Sequence, residues 1–126
     1  MTIGSSFGSL QNRGDMTAYS ESFAREDIYM QQARANGSEM GVADPTPAVG
    51  GLIQFVIRSL SAKSVVEIGT GSGVSGLWIF QGMPTDGVLT SIDTEREQLA
   101  FLEKSKAHSL PNPYQFLQRI WRSENG

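Results

Sequence analysis

Val65-Val66-Glu67-Ile68-Gly69-Thr70-Gly71-Ser72-Gly73 is the stretch on which the fold of this chain turns. Ser64 to Ile68 is a short apolar run with β-branched residues, closed by glycine, which is how a strand covered on both faces reads. The three glycines between Gly69 and Gly73 then form a strand-to-helix turn that needs dihedrals a Cβ would forbid. In an open α/β sheet, ligands bind outside the carboxyl ends of the strands, at such a turn and at the helix N-terminus behind it. A bare tight turn explains one glycine; three at this spacing favour a bound ligand.

Downstream, Leu77 to Phe80 reads as an apolar helix that begins in the glycine loop and stops near Gly82-Met83-Pro84. Asp86-Gly87 turns the chain into a second buried strand, Val88 to Ile92. Glu95 to His108 follows as an amphipathic helix with Leu99, Ala100, Leu102 and Ala107 on its apolar side, ended by Pro111 and Pro113. Tyr114 to Leu117 is a candidate third strand around Phe116. Upstream, Thr46 is placed to cap a helix whose first residue is Pro47. That helix is expected to reach Leu60 and to bury Val49, Leu52, Ile53, Val56, Ile57 and Leu60. A further helix is expected from Glu21 to Asn36, with Asn36-Gly37 as its stop. Strands alternating with helices predict an α/β fold, a Rossmann-like parallel sheet with flanking helices. Residues 1–15, rich in Gly, Ser, Asn and Gln, are expected to be a flexible tail, and residues 16–126 one domain.

The 126 residues hold 39% hydrophobic and 18% charged side chains, enough for one core and no second domain. Ten Lys and Arg against 13 Asp and Glu give a net charge of -3, so the basic stripe of a nucleic-acid binder is missing and no such partner is expected. The cysteine count is 0, which removes disulfides and thiolate metal sites and favours the cytoplasm. No leader and no run of roughly 18 apolar residues is seen, so no membrane partner is expected.

The choice of nucleotide rests on the loop. Gly71-Ser72-Gly73-Val74-Ser75-Gly76 fits the dinucleotide pattern G-x-G-x-x-G, but a strand ending at Ile68 starts that register at Gly69 and puts Val74 where the third glycine belongs. Glu67 at the strand end would also face a pyrophosphate unfavourably, while it suits a cationic ligand. S-adenosylmethionine carries a sulfonium and an ammonium and no phosphate. Glu67 has an alternative role, holding the loop's own amides.

Glu67-Ile68-Gly69-Thr70-Gly71-Ser72-Gly73, followed by Val74-Ser75-Gly76-Leu77-Trp78, resembles the first motif of class I S-adenosylmethionine-dependent methyltransferases. With Thr46-Pro47-Ala48-Val49-Gly50 upstream and Leu89-Thr90-Ser91-Ile92-Asp93 downstream, it is similar to the catechol-type O-methyltransferase family, especially its actinobacterial members, over roughly Tyr19 to Lys106. The resemblance implies methyl transfer to a hydroxyl of a small, catechol-like acceptor. It places Asp93 on the ribose hydroxyls, a duty that a carboxylate fits; capping the helix near Glu95 is its alternative duty. It places the backbone at Gly69, Thr70 and Gly71 against the cofactor, Ser75 on the methionine carboxylate at a helix N-terminus, and Thr46 at the methionine pocket. Magnesium is expected in the full-length family.

The same resemblance puts the metal ligands and a catalytic lysine beyond the fourth strand, so the chain is expected to be truncated: the N-terminal part of the methyltransferase fold only, with no catalytic residue to name. Glu95, Glu97, Glu103, Glu124 and His108 make no metal cluster. An uncovered sheet edge predicts a homo-oligomer, a dimer first of all. Two other functions remain open at this point: a non-catalytic cofactor-binding or interaction module, and an NAD-binding oxidoreductase fragment.

Overall fold

The computed structural model describes residues 10–94 and 115–120, with residues 10–12 and 115–120 described as backbone only. In chain order the elements are α1 (Leu10–Phe23), α2 (Ile28–Glu39), α3 (Pro47–Ser59), β1 (Ser64–Ile68), α4 (Val74–Gly82), β2 (Val88–Asp93) and β3 (Gln115–Ile120). The strands form one parallel sheet in the order β1-β2-β3. Ser64 stands beside Val88 and Ile68 beside Ile92, while Val88 stands beside Gln115 and Asp93 beside Ile120. This is the expected α/β architecture, and the third strand, expected to stop at Leu117, runs on to Ile120.

Helix α4 organises the core. It is apolar almost all round, with Val74, Leu77, Trp78, Ile79 and Phe80 buried, as a helix covered on several sides must be. One side packs Val74, Leu77 and Trp78 against Met30 and Ala33 of α2. The other packs Ile79, Phe80 and Met83 with Ile57 of α3 and Leu89 of β2, with Ile53, Ala62 and Val65 adding to the cluster. Gly50 lets α3 come this close, since a Cβ there would lie 2.2 Å from Trp78 Nε1. Pleating sends Val65 and Glu67 to the side of α4, while Val66 and Ile68, 61% and 85% exposed, point to the opposite face.

Several expectations need correction. Leu10 to Asp15, read as tail, are helical and open α1; residues 1–9 lie outside the described residues. Glu21 to Asn36 is not one helix, because the chain breaks after Phe23 and restarts at Asp27, whose carboxylate accepts from the Tyr29 and Met30 N–H groups, both at 2.9 Å. Nor does Asn36-Gly37 stop α2. The left-handed residue is Gly41, at φ 71, with the Val42 N–H donating back to the Gly37 carbonyl at 2.8 Å. Gly37 serves close packing instead, its missing Cβ leaving room for Asp44 and Ser72.

Helix α3 is capped by Thr46 as expected, with the Val49 N–H donating to Thr46 Oγ1 at 3.5 Å. Glu21 of α1 accepts from the Ala48 N–H at 2.9 Å. Its buried side, however, is Gly50 and Ile57 with Ile53 half-buried. Val49, Leu52, Val56 and Leu60, expected in the core, are 46%, 60%, 44% and 73% exposed. The apolar stripe is wider than the one side that α4 and the sheet cover. The helix expected over Glu95 to His108 lies outside the described residues.

Candidate cofactor site

The glycine loop stands at the carboxyl end of β1. The Gly69 N–H donates to the Ile92 carbonyl at 2.8 Å, which carries the β1–β2 pairing into the first glycine. Gly69, Gly71 and Gly73 have φ of 86, 58 and 95, a region that L side chains rarely enter. A Cβ on Gly69 would meet open space, whereas one on Gly71 would lie 3.1 Å from Asp44 Oδ1. Gly73 is the N-cap of α4 and offers its first turn no side-chain acceptor, so the positive end of that helix dipole opens beside the loop.

Carboxylates surround this turn. Asp93, the last residue of β2, accepts from the Thr70 N–H at 2.6 Å. Asp44, between α2 and α3, accepts from the Ser72 N–H at 3.2 Å and from the Ser72 hydroxyl at 2.6 Å. Glu67 is buried, 8% exposed, and takes hydroxyls: Ser75 Oγ donates to its Oε1, and Ser91 Oγ to its Oε2 at 3.0 Å. Thr70 Oγ1 joins this group through Ser91 Oγ at 2.6 Å. Burial pushes the Glu67 carboxyl above its ordinary range, against the two hydroxyl bonds, with the Asp93 charge adding to the rise. The task of holding loop amides, offered above for Glu67, thus falls to Asp93 and Asp44.

Beside Asp93 the ends of the two strands leave a cleft of about 450 Å³, lined by Ile68, Gly69, Ile92, Asp93 and Thr94. Of the residues singled out in the sequence, Gly69 and Asp93 line this cleft, and Glu67, Thr70, Gly71 and Ser75 gather around the turn behind it. Thr46 does not join them by any described bond; its oxygen is spent on its own helix. Ser75 gives its proton to Glu67 and keeps only acceptor lone pairs for other partners in this arrangement. Asp44 is the residue that sequence reasoning missed. It lies in a loop two residues before the Thr46 cap, and only the fold carries it to a turn 28 positions away. Among the described residues no three His, Cys, Asp or Glu side chains stand close enough to hold a metal ion. The described residues therefore do not fit a magnesium site.

A parallel sheet with a glycine turn opening into a helix, an acid at the end of the second strand and a cleft beside both defines a Rossmann-like cofactor-binding unit. The O-methyltransferase family profile matches residues 15–109, and the chain belongs to that family. A provisionally named O-methyltransferase of Mycobacterium sp. (strain KMS) is 49% identical over 82 residues, covering 65% of this chain and 37% of that protein. A counterpart of the same description from Mycobacterium tuberculosis (strain ATCC 25177 / H37Ra) is 40% identical over 99 residues, covering 78% of this chain and 44% of that protein. Among solved structures, the O-methyltransferase TomG from Streptomyces achromogenes, in complex with S-adenosylmethionine, superposes with a TM-score of 0.73 at 25% identity, covering 91% of this chain and 53% of that one. A Corynebacterium glutamicum protein, at 24% identity and a TM-score of 0.71, shares the fold. The chain thus spans about half the length of these structures, and less of the curated relatives.

Proposed function

We propose that this chain supplies the S-adenosylmethionine-binding half of a methyl transfer to a hydroxyl of a small, catechol-like acceptor. The observation that carries the reading is the cleft that sets Asp93 beside the apolar Ile68 and Ile92 at the open side of Gly69. A flat base packs on apolar side chains, and a carboxylate accepts from the two hydroxyls of a ribose. The bond from Thr70 does not exhaust it, since a carboxylate has about four acceptor sites. Ile68, Gly69, Ile92 and Asp93 would hold the adenosine. The turn at Gly71 and the start of α4 would hold the amino-acid end, with Glu67 setting the Ser75 hydroxyl and Thr46 farther out.

Asp44, Glu67 and Asp93 around one turn disfavour a pyrophosphate and suit a ligand with a sulfonium and an ammonium. When bound, the cofactor supplies an electrophilic methyl group on positive sulfur. The chain's own residues bind and orient it, and no described residue is assigned to deprotonate the acceptor. Magnesium is expected of full-length relatives by resemblance alone, and no step here runs through it. A cytoplasmic place, from the lack of cysteine, and self-association belong to the same reading.

Calorimetric titration of the purified chain with S-adenosylhomocysteine and with NAD tests the proposal. Binding of the first, and its loss in Gly71→Val, is the expected result, because valine would be strained at φ 58 and crowd Asp44. Binding of NAD alone would favour the oxidoreductase reading. Binding of neither would leave the interaction-module reading and overturn this one.

A further inference from the structure

The turn from Gly69 to Gly73 alternates two hands of backbone. Gly69, Gly71 and Gly73 have positive φ, while Thr70 and Ser72 between them do not. Such alternation aims neighbouring N–H groups into one concavity, and a concavity of this kind ahead of a helix takes phosphate oxygens. Here the donors are already answered from within the chain. The Thr70 N–H donates to Asp93 at 2.6 Å, and the Gly69 and Gly73 N–H groups donate to the Ile92 and Thr70 carbonyls at 2.8 and 3.0 Å. Ser72 is answered twice by Asp44: its N–H donates to Oδ1 at 3.2 Å and its hydroxyl to Oδ2 at 2.6 Å.

Asp44 is built into that place. Ser72 is fully buried, and two glycines clear room for the carboxylate. A Cβ on Gly37 would overlap Oδ2, and one on Gly71 would lie 3.1 Å from Oδ1. The next residue is held as well, since Arg34 Nη2 donates to the Pro45 carbonyl at 2.6 Å. The Arg34 guanidinium, pushed up by its bond to Glu26 against burial, is stabilised further by the charge of Asp44. Both Asp44 oxygens are thus spent on one residue, whereas Asp93 lines the cleft and keeps acceptor sites for a ligand.

We propose that Asp44 is a specificity-determining residue of the cofactor turn, a built-in anion that occupies the Ser72 donors where a phosphate oxygen would sit. Its charge and its two bonds together keep pyrophosphate-bearing nucleotides out and leave the turn to a ligand without phosphate. Asp44 acts through Ser72 and is a positioning residue. The inference rests on the reading of this turn as the cofactor site and adds the residue that sets its choice.

Calorimetric titration of the whole chain with inorganic pyrophosphate, and in parallel with S-adenosylhomocysteine, tests it. The wild-type chain is expected to show no pyrophosphate binding at millimolar concentration. Asp44→Ala frees both Ser72 donors beside the Arg34 charge that Asp44 now balances. It is expected to bind pyrophosphate with an affinity roughly tenfold or more above that limit, while S-adenosylhomocysteine binds more weakly. Asp44→Asn keeps an acceptor for the Ser72 amide and removes the charge, so a smaller but measurable gain is expected; it decides alone should alanine unfold the chain. Glu39→Ala, an equal loss of charge at the exposed end of α2, is expected to change neither titration. Pyrophosphate binding by the wild-type chain, a folded Asp44 variant that gains none, or a gain matched by Glu39→Ala would each overturn the inference. Failure of the wild-type chain to bind S-adenosylhomocysteine would instead count against the methyl-donor reading, with the pyrophosphate comparison still deciding the role of Asp44.

Discussion

Helix α3 has two apolar sides with opposite surroundings. Toward α4, Gly50, Ile53 and Ile57 close on Trp78, Ile79 and Phe80, and Gly82 brings the helices so near that its Cβ would lie 2.8 Å from the Gln54 carbonyl oxygen. Away from α4, Val49, Leu52, Val56 and Leu60 have much the same residue types and remain exposed. The six-residue stripe expected in the core counts the surface the helix has to bury. Its width exceeds what α4, α1 and the strand side chains Val65 and Leu89 cover. The difference teaches that one side of this domain is finished and the other calls for a further layer.

The largest effect that tests this contrast is in the finished side. Phe80, at 0% exposure, is expected to cost about 3–5 kcal/mol when cut to alanine. Leu52→Ala, on the other side of α3 at 60% exposure, should change stability by no more than about 0.5 kcal/mol. Urea unfolding compares the two. Equal losses would mean that Leu52 is covered and that the two sides are alike.

A smaller effect should come from Asp93, which ties the loop on the finished side to the open cleft. Asp93→Ala is expected to weaken nucleoside binding by about 1–3 kcal/mol, the usual cost of losing a charged acceptor. Titration with S-adenosylhomocysteine measures it. Unchanged affinity in a folded variant would confine Asp93 to holding the Thr70 amide.

The smallest effects are pH dependences of opposite sign from two carboxylates. Glu26 is raised by burial, but bonds from Arg34, at 3.0 Å through Nε, and from Trp78, at 3.2 Å, together with the Arg34 charge, bring it below its ordinary 4.5. Its contribution is present above 4.5 and fades as the pH falls through the lowered value. Glu67, raised from 4.5 by burial, binds its proton more tightly folded than unfolded, so it costs stability as the pH climbs from 4.5 toward the raised value. Thermal melts between pH 3 and 8 should therefore show Glu26→Gln flattening the profile below 4.5 and Glu67→Gln flattening it above 4.5. If Glu67→Gln left the slope above 4.5 as steep as before, its carboxylate would have to be solvated.

What could be read in advance follows from what is local. The glycine turn, the strand before it and the cap at Thr46 each depend on a few adjacent residues, and each stands where the pattern put it. The break at Asp27 was not legible, because Asp27 caps as readily as it decorates a helix surface. What favours the cap is tertiary: Glu26 beside it is claimed by Trp78, 52 positions on. Asp44 was not legible either, since nothing near it in sequence says that its carboxylate will meet the Ser72 amide and hydroxyl.

By itself, then, the sequence determined the order of the three strands with α3 and α4 among them, the α/β class, the place of the glycine turn and the acid at the end of the second strand. All of these come from hydrophobic period and from backbone dihedrals that only certain residues adopt. Which side of α3 is covered and which carboxylate holds which amide were decided by tertiary structure alone. Those outcomes depend on distances between segments far apart in the chain, and a periodic pattern carries the amount of surface to be buried without the identity of what buries it.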